Sequence, residues 1–201
     1  MTALPKPGPT RWWEIPDHLL TIEEYAALGE TDTGFTELVE GRVLMSPSPK
    51  PGHNLAMLEL AQQLIPQVPD HLKVVPDTDV DLGLAPPGRP GFSRRPDLMI
   101  VDKAGLARVH KDKDMIRADE LAVVVEIVSP GSKRTDYHVK HDEYADAGIP
   151  HYWIVDITEP VSLVACHQAG EFGYMDASAV SGTFTTDVPF PVKIDLDALL
   201  D

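Results

Sequence analysis

The sequence predicts an α/β fold (of the α+β kind), in which central strands are buried between helices. Two uninterrupted aliphatic runs, residues 98–101 and 121–128, indicate strands that are covered on both faces. Helical signals precede and follow these runs, as expected when helices cover a sheet. A length of 201 residues is enough for one domain with a proper core.

The first segment, residues 1–17, predicts a flexible arm because it is rich in proline around Trp12 and Trp13. We expect part of this arm to dock on the body of the protein or on a second subunit, because tryptophan side chains are usually well buried. The remaining residues, 18–201, predict a single domain without internal repeats.

The first half of this domain combines helical and strand signals. Thr21 and Glu24 fit a capping box, which predicts a helix that stops at Gly29. Glu40-Gly41 predicts the turn of a β-hairpin over residues 36–45. The pattern then predicts, in order, a helix over residues 53–64, a half-exposed strand over 77–82 and a proline- and glycine-rich loop over 85–93.

The second half is organised around the two aliphatic strands. The charged residues 103–120 between them predict a surface loop with room for a short helix. Residues 136–147 predict a helix that Gly148 and Pro150 end. The remaining pattern predicts a buried strand over 151–155, closing antiparallel strands at 162–167 and 192–196, and a short helix over 197–200.

The charge balance argues against tight non-specific binding to DNA. The chain has 32 acidic and 17 basic residues and a formal net charge of −15. Nucleic acids repel such a protein at long range unless its cations are gathered on one face. The cluster expected to form that face is Arg94, Arg95, Lys133 and Arg134.

Composition also bears on compartment and metal type. No apolar run reaches the length needed to span a bilayer, and the first residues carry no apolar leader, so we expect a cytoplasmic protein without membrane contact. The single cysteine, Cys166, excludes an intrachain disulfide and a cysteine-cluster metal site, and we expect it to be a packing residue.

Glu126 is the most informative residue, because it lies inside the most aliphatic stretch of the chain. A buried carboxylate is costly unless a cation or a metal neutralises it. The alternative is a side chain that reaches water at the end of the strand. Asp97 has the same character at the entrance of the preceding strand, where an ordinary loop aspartate is the alternative. Two carboxylates on neighbouring central strands form an oxygen site suited to Mg²⁺.

Lys140 is expected to join these carboxylates. Tyr137, Lys140 and Tyr144 are spaced i, i+3 and i+7 on the predicted helix, so they share one face. The tyrosines would turn that face towards the sheet, and an inward lysine needs an anion. The alternative is a lysine whose stem covers the core while its ammonium reaches solvent. His138 and His141 are also three residues apart, but we expect both to be exposed.

The stretch from Glu126 to Asp156, with its segments EIVSPGSKRTD, AGIP and YWIVD, closely resembles the Uma-type family of putative restriction endonucleases. Arg95-Pro96-Asp97 and the segment ELVEG at residues 37–41 are similar to two further stretches of that family, in the same order. The resemblance covers roughly residues 18–200. It implies membership of the PD-(D/E)xK nuclease superfamily and a restriction-endonuclease-like mixed central sheet flanked by helices.

The resemblance also implies roles for particular residues. Asp97 and Glu126 match the two acidic positions of the superfamily motif, and the carbonyl of Ile127 is a further candidate metal ligand. Val128 stands where the superfamily usually has its lysine, and Lys140 on the following helix takes that role. Glu37 matches an additional acidic residue that assists as a metal or water ligand.

Residues and resemblance together predict a Mg²⁺-dependent endonuclease, with Mn²⁺ as a possible substitute, that hydrolyses phosphodiester bonds in DNA. Its catalytic residues would be Asp97, Glu126, Lys140 and Glu37, and its metal ligands Asp97, Glu126 and Ile127. Cleavage of both strands needs two sites, so a homodimer is expected. The alternatives are a binding or regulatory protein that keeps the nuclease fold without activity, and a hydrolase of small phosphodiesters.

Overall fold

The computed structural model describes residues 16–29, 34–46, 48–129 and 131–200. Its α-helices are α1 (Ile22–Leu28), α2 (Pro51–Leu64), α3 (Lys103–Asp112) and α4 (Lys140–Asp146). Its strands are β1 (Thr36–Val39), β2 (Arg42–Met45), β3 (Leu72–Pro76), β4 (Val80–Asp81), β5 (Ser93–Arg94), β6 (Leu98–Asp102), β7 (Ile116–Arg117), β8 (Leu121–Val128), β9 (His151–Asp156), β10 (Ser162–Gln168), β11 (Tyr174–Asp176), β12 (Val180–Ser181), β13 (Thr183–Thr186) and β14 (Val192–Asp195).

The central sheet has the strand order β11-β10-β9-β8-β6-β3, with β12 paired to β10. Strands β8 and β9 are parallel, whereas β6 runs antiparallel to both β8 and β3. The sheet is therefore mixed, as predicted. The aliphatic runs occupy its centre, where Leu98, Ile100, Val123 and Val125 are completely buried.

Both faces of this sheet are covered. One face packs against α2 and the β13–β14 hairpin, where Leu60, Trp153 and Phe184 share a core cluster. The other face packs against α4 and a second sheet of order β2-β1-β5-β4-β7, where Tyr144 and Ile116 share another cluster. Burial on both sides explains why β6, β8 and β9 contain continuous aliphatic residues instead of an alternating pattern.

Several predicted elements are confirmed in detail. Thr21 caps α1 with a complete capping box, and Gly29 follows the helix. Glu40 and Gly41 form the turn between β1 and β2, both with positive φ. The C-terminal residues Asp197–Leu200 form a short 3₁₀ helix.

Other predictions were wrong in extent. The region predicted as a surface loop at 103–120 contains the ten-residue helix α3, which Asp102 caps by accepting a hydrogen bond from the amide of Ala104 at 2.8 Å. The predicted strand at 77–82 shortens to β4, because Asp77 takes a left-handed conformation with φ 46°. The helix predicted at 136–147 begins as a π-helical turn, Thr135–Val139, which continues into α4. The predicted arm falls mostly on residues 1–15, outside the described residues, so its boundary stays a prediction.

Candidate active site

Glu126 projects from β8 towards α4 and is 3% exposed. Its Oε1 atom accepts hydrogen bonds from Lys140 Nζ at 2.8 Å and from the hydroxyl of Tyr144 at 2.7 Å. Both donors bind Oε1, and no donor among the described residues is hydrogen-bonded to Oε2. The buried carboxylate is thus paired with a cation, and that cation is Lys140.

Lys140 reaches Glu126 because the π-helical turn and α4 place it on the inner face. Lys140 and Tyr144 are both buried, whereas Tyr137 is half-buried. A second carboxylate approaches the same ammonium, since Glu37 Oε1 lies 3.3 Å from Nζ. Glu37 comes from β1 of the second sheet, so this lysine connects the two sheets. A π-helical turn at such a position is common at functional sites.

Asp97 lies beside Glu126 because β6 and β8 are neighbours, with Leu98 paired to Val125. Its Oδ2 atom accepts a hydrogen bond from the amide of Ile127 at 2.6 Å. The N–H and C=O of one strand residue point to the same side of the strand, so the Ile127 carbonyl faces the same space. Asp97, Glu126 and Ile127 thus lie together, and their role as metal ligands stays a prediction.

His53, from the first turn of α2, is a member of this cluster that sequence reasoning missed. Its Nε2 atom lies 2.9 Å from Asp97 Oδ1, and its buried Nδ1 has no hydrogen-bond partner among the described residues. The hydrogen bond to Asp97 raises the pKa of His53, burial opposes this, and the Ile127 backbone adds to it. No local spacing points to His53, because its contact with Asp97 spans 44 residues.

Asp136 is a further buried carboxylate whose place in the cluster was not foreseen. It lies in the π-helical turn and is 2% exposed. Burial raises its pKa, while Lys140 and the hydroxyl of Ser132 oppose that rise. The sequence signal that could have found it is its position four residues before Lys140, one helical turn away on the same face.

The cluster contains more carboxyl groups than cations. Burial, opposed by Lys140 and reinforced by Asp97 and Asp136, raises the pKa of Glu126 to about 8. Burial alone would lower the pKa of Lys140, but Glu126, Glu37 and Asp136 hold it above its ordinary value. Lys140 therefore keeps its charge, and Glu126 is the group that takes up a proton when no further cation is present.

Glu37 stays ionised by a different route. Burial would raise its pKa, but Lys140 and Arg94 together hold it below its ordinary value. Arg94 donates to Glu37 Oε2 at 2.7 Å and binds both carboxylate oxygens of Glu143 on α4. We call this group of Glu37, Arg94 and Glu143 the arginine bridge. It holds α4 against the second sheet and so fixes the helix that carries Lys140.

The predicted positive face is not formed as a group of four free cations, because Arg94, Arg95 and Lys133 are paired with acidic side chains; Arg134 is exposed. Arg94 is buried in the arginine bridge, and Arg95 pairs with Asp77 and Asp79. Lys133 is exposed but lies 2.9 Å from Asp156. The prediction failed because these acidic partners are distant in sequence and could not be matched to the basic residues by inspection.

The two histidines differ. His138 is exposed, as expected, but the prediction for His141 was wrong, since its side chain is only 16% exposed and lies 2.9 Å from Asp176. Cys166 is buried, as expected for a packing residue. Among the helices of the described residues, none combines the length and the apolar character needed to cross a membrane.

Comparisons with known proteins agree with a nuclease-like fold. No functionally curated protein matches the chain. A solved structure described as a putative nuclease belonging to DUF820, from Anabaena variabilis ATCC 29413, is similar with a TM-score of 0.67 and 18% identity, covering 90% of this chain and 97% of the other. This likeness confirms the predicted fold class.

A family model provides the identification. It is described as Uma2, putative restriction endonuclease, and matches residues 22–192. The matched region contains the segments that carried the resemblance, together with Glu37, Asp97, Glu126 and Lys140. The chain therefore belongs to the Uma2 putative restriction endonuclease family.

Proposed function

We propose that the protein is a divalent-metal-dependent endonuclease that hydrolyses phosphodiester bonds in DNA. The observation that carries this proposal is the convergence of two carboxylates, Asp97 and Glu126, and a lysine, Lys140, at the ends of two central strands. Glu126 lies 2.8 Å from the Lys140 ammonium, and Asp97 is fixed on the amide of Ile127. Membership of a restriction endonuclease family supports the same reaction class.

The donor set fits a hard cation such as Mg²⁺ or Mn²⁺. Asp97, Glu126 and the Ile127 carbonyl offer oxygen atoms, which are the ligands that Mg²⁺ prefers. The raised pKa of Glu126 means that this cluster holds a proton for want of positive charge. A divalent cation would replace that proton. We propose Asp97, Glu126 and Ile127 as the ligands.

When bound, the metal ion supplies a Lewis acid for the phosphate and lowers the pKa of a water ligand. The chain's own residues do the positioning. Lys140, held charged between Glu126 and Glu37, contributes positive charge near the reacting phosphate. The neighbouring carboxylates hold the pKa of Lys140 above its ordinary value, so we assign it charge stabilisation and not proton abstraction. Glu37 assists by anchoring the lysine at 3.3 Å.

Lys140 replaces the lysine that the superfamily motif usually carries two residues after the second carboxylate. Val128 occupies that position and is buried in the core. The helix instead delivers an ammonium group to the same carboxylate from the opposite side of the cluster. The proposal therefore treats the displacement of the lysine as compatible with activity.

The paired state of the arginines favours a second candidate, a hydrolase of small phosphodiesters. Arg94 and Arg95 are bound to acidic side chains, and the net charge is −15. A polymeric anion draws much of its affinity from free cations, whereas a small diester needs only the metal and Lys140.

A homodimer and a cytoplasmic location remain parts of the first proposal, and sedimentation of the full chain tests the dimer.

Cleavage assays separate these possibilities. With Mn²⁺ or Mg²⁺, the purified protein should cut plasmid or single-stranded DNA, and Asp97→Asn and Glu126→Gln should lose the activity. Asp119→Asn, at an exposed acidic position, is the matched control and should cut normally. Turnover of bis-p-nitrophenyl phosphate without DNA cleavage would favour the small substrate. Equal cutting by the wild type and both site variants would refute the assigned site, and metal binding without any turnover would favour an inactive binding protein.

A further inference from the structure

A second group of ligand-type side chains lies between α4 and strands β10 and β11. His141, Cys166 and Asp176 each offer one ligand atom, and these atoms all lie within 4.8 Å of one another. Cys166 and Asp176 are directly opposite residues of the antiparallel β10–β11 pair. His141 approaches them from the helix above. Three secondary-structure elements, α4, β10 and β11, therefore bring together nitrogen, sulfur and oxygen donors.

The orientation of His141 is that of a metal-binding histidine. Its Nε2 atom lies 2.9 Å from Asp176 Oδ1, and its Nδ1 atom lies 3.2 Å from Asp142 Oδ1. Metal-binding histidines commonly donate their second ring nitrogen to a carboxylate, which fixes the ring and the tautomer. The rings of Tyr174 and Tyr152 contact the imidazole edge-on, with centroids 5.3 and 6.4 Å away. The imidazole is thus held in place before any ion arrives.

The burial of the three donors suits a bound ion with one open side. Cys166 is 1% exposed, so its sulfur is shielded from solvent. The side chain of Asp176 is 53% exposed, and it provides the route from solvent. Tetrahedral ligands at about 2.0–2.3 Å from one zinc ion lie about 3.3–3.8 Å apart, so side-chain movements of up to about 1 Å would close the site.

We propose that His141 Nε2, Cys166 Sγ and the Asp176 carboxylate bind one Zn²⁺ ion, with water as the fourth ligand. A thiolate and an imidazole select zinc over magnesium, which requires oxygen ligands. On binding, the ion forms bonds to Sγ, Nε2 and an Asp176 oxygen; the thiol proton and the Nε2 proton of the imidazolium pass to solvent, and Nδ1 keeps its proton for the hydrogen bond to Asp142.

This zinc site is separate from the Asp97–Glu126 cluster but mechanically connected to it. His141 directly follows Lys140 in the chain, so a zinc ion would tie the helix that carries the lysine to β10 and β11. The ion would hold α4 from one side while the arginine bridge holds it from the other. Zinc binding does not require phosphodiester hydrolysis, and either idea can fail alone.

Titration of the full chain with Co²⁺ tests the site directly. Cys166 is the only cysteine in the sequence, so a thiolate-to-cobalt charge-transfer band in the near ultraviolet reports this site and no other. We expect the band to saturate at one equivalent, with visible bands of tetrahedral cobalt, and Zn²⁺ to remove it by displacement. A Co²⁺ ion at the Asp97–Glu126 cluster has no sulfur ligand and gives no such band.

Variants make the assignment specific. Asp176→Asn and His141→Gln should weaken Co²⁺ binding by at least ~10-fold, and Asp142→Asn by ~10-fold or more through the histidine it orients. His138→Gln, an exposed histidine nearby on the same helical segment, is the matched control and should bind as the wild type does. Circular dichroism checks that each variant is folded. If His141→Gln does not fold, Asp176→Asn provides the test. Absence of the thiolate band in the wild type, or a band with unchanged affinity in Asp176→Asn, would overturn the proposal.

Discussion

Arg94 is the cation that joins the second sheet to α4, and its replacement by methionine tests how the fold holds Lys140. The guanidinium is 4% exposed and contacts Glu37 on β1 and Glu143 on α4. Methionine keeps the apolar stem and removes the charge. Both carboxylates then stay largely buried without their main cation, although Glu37 retains Lys140 at 3.3 Å.

The magnitude follows from these distances. The contacts from Arg94 Nε and Nη2 to Glu143 are 2.5 and 2.8 Å, and the contact from Nη1 to Glu37 is 2.7 Å. At an effective dielectric constant of about 20, two unit charges about 3 Å apart attract by about 5–6 kcal/mol. Desolvation offsets most of that attraction in the native protein, but the variant keeps the desolvation of the carboxylates without the attraction. Removal of one partner of a buried ion pair costs about 3–5 kcal/mol, so we expect Arg94→Met to lower the free energy of unfolding by about 4 kcal/mol.

Urea denaturation of the wild type, the two single variants Arg94→Met and Glu143→Gln, and the double variant measures this effect as a double-mutant cycle. Arg94→Met and Glu143→Gln should each destabilise the protein, and the double variant should lose about 2 kcal/mol less than the sum, because the second change removes an uncompensated charge. Arg117→Met, at an exposed arginine, should cost less than about 1 kcal/mol. A loss below about 1 kcal/mol in Arg94→Met, or additivity within about 0.5 kcal/mol, would refute the bridge as a stabilising contact.

Two further changes test other parts of the fold by urea denaturation. Gly41→Ala should cost more than about 2 kcal/mol, because the residue has φ +76° and the added Cβ would lie 2.8 Å from the Cβ of Pro90. Gly83→Ala, where φ is +63° but the space around the added Cβ is open, should cost only about 1 kcal/mol. Equal losses in the two variants would contradict the close packing at Gly41. Glu120→Gln should cost about 1 kcal/mol at pH 7, because hydrogen bonds from Arg108 hold the pKa of Glu120 below its ordinary value of 4.5. A lowered pKa contributes stability that is complete above the unfolded value of 4.5 and is lost as the pH falls through the lower folded-state pKa. The difference from the wild type should therefore shrink below pH 4.5 and vanish at still lower pH, and a difference that stays constant over this range would contradict the ion pair.

The centre of the site was predictable because its signals are local. Glu126 is the charged residue inside an aliphatic strand, and Lys140 shares a helical face with Tyr144. Each feature needs only the periodicity of one element. Their meeting at 2.8 Å follows once α4 covers β8.

The surroundings of the site were not predictable because their contacts join distant segments. His53 and Asp97 are 44 residues apart, and Arg94 and Glu143 are 49 apart. For the same reason, the sequence predicted Arg94 to be part of a positive face, although it is paired with Glu143 and Glu37. Helix α3 was underestimated for another reason, since half of its ten residues are charged or histidine and its N-cap, Asp102, is also the last residue of β6.

The central claim is that Asp97 and Glu126 jointly hold a divalent cation beside Lys140. Anomalous diffraction from crystals soaked in Mn²⁺ tests this most directly, because it locates the ion without any assumption about the substrate. We predict a peak between the two carboxylates, near the Ile127 carbonyl, which Glu126→Gln removes. Full Mn²⁺ occupancy elsewhere with no peak between Asp97 and Glu126, or a peak unchanged in Glu126→Gln, would contradict the account.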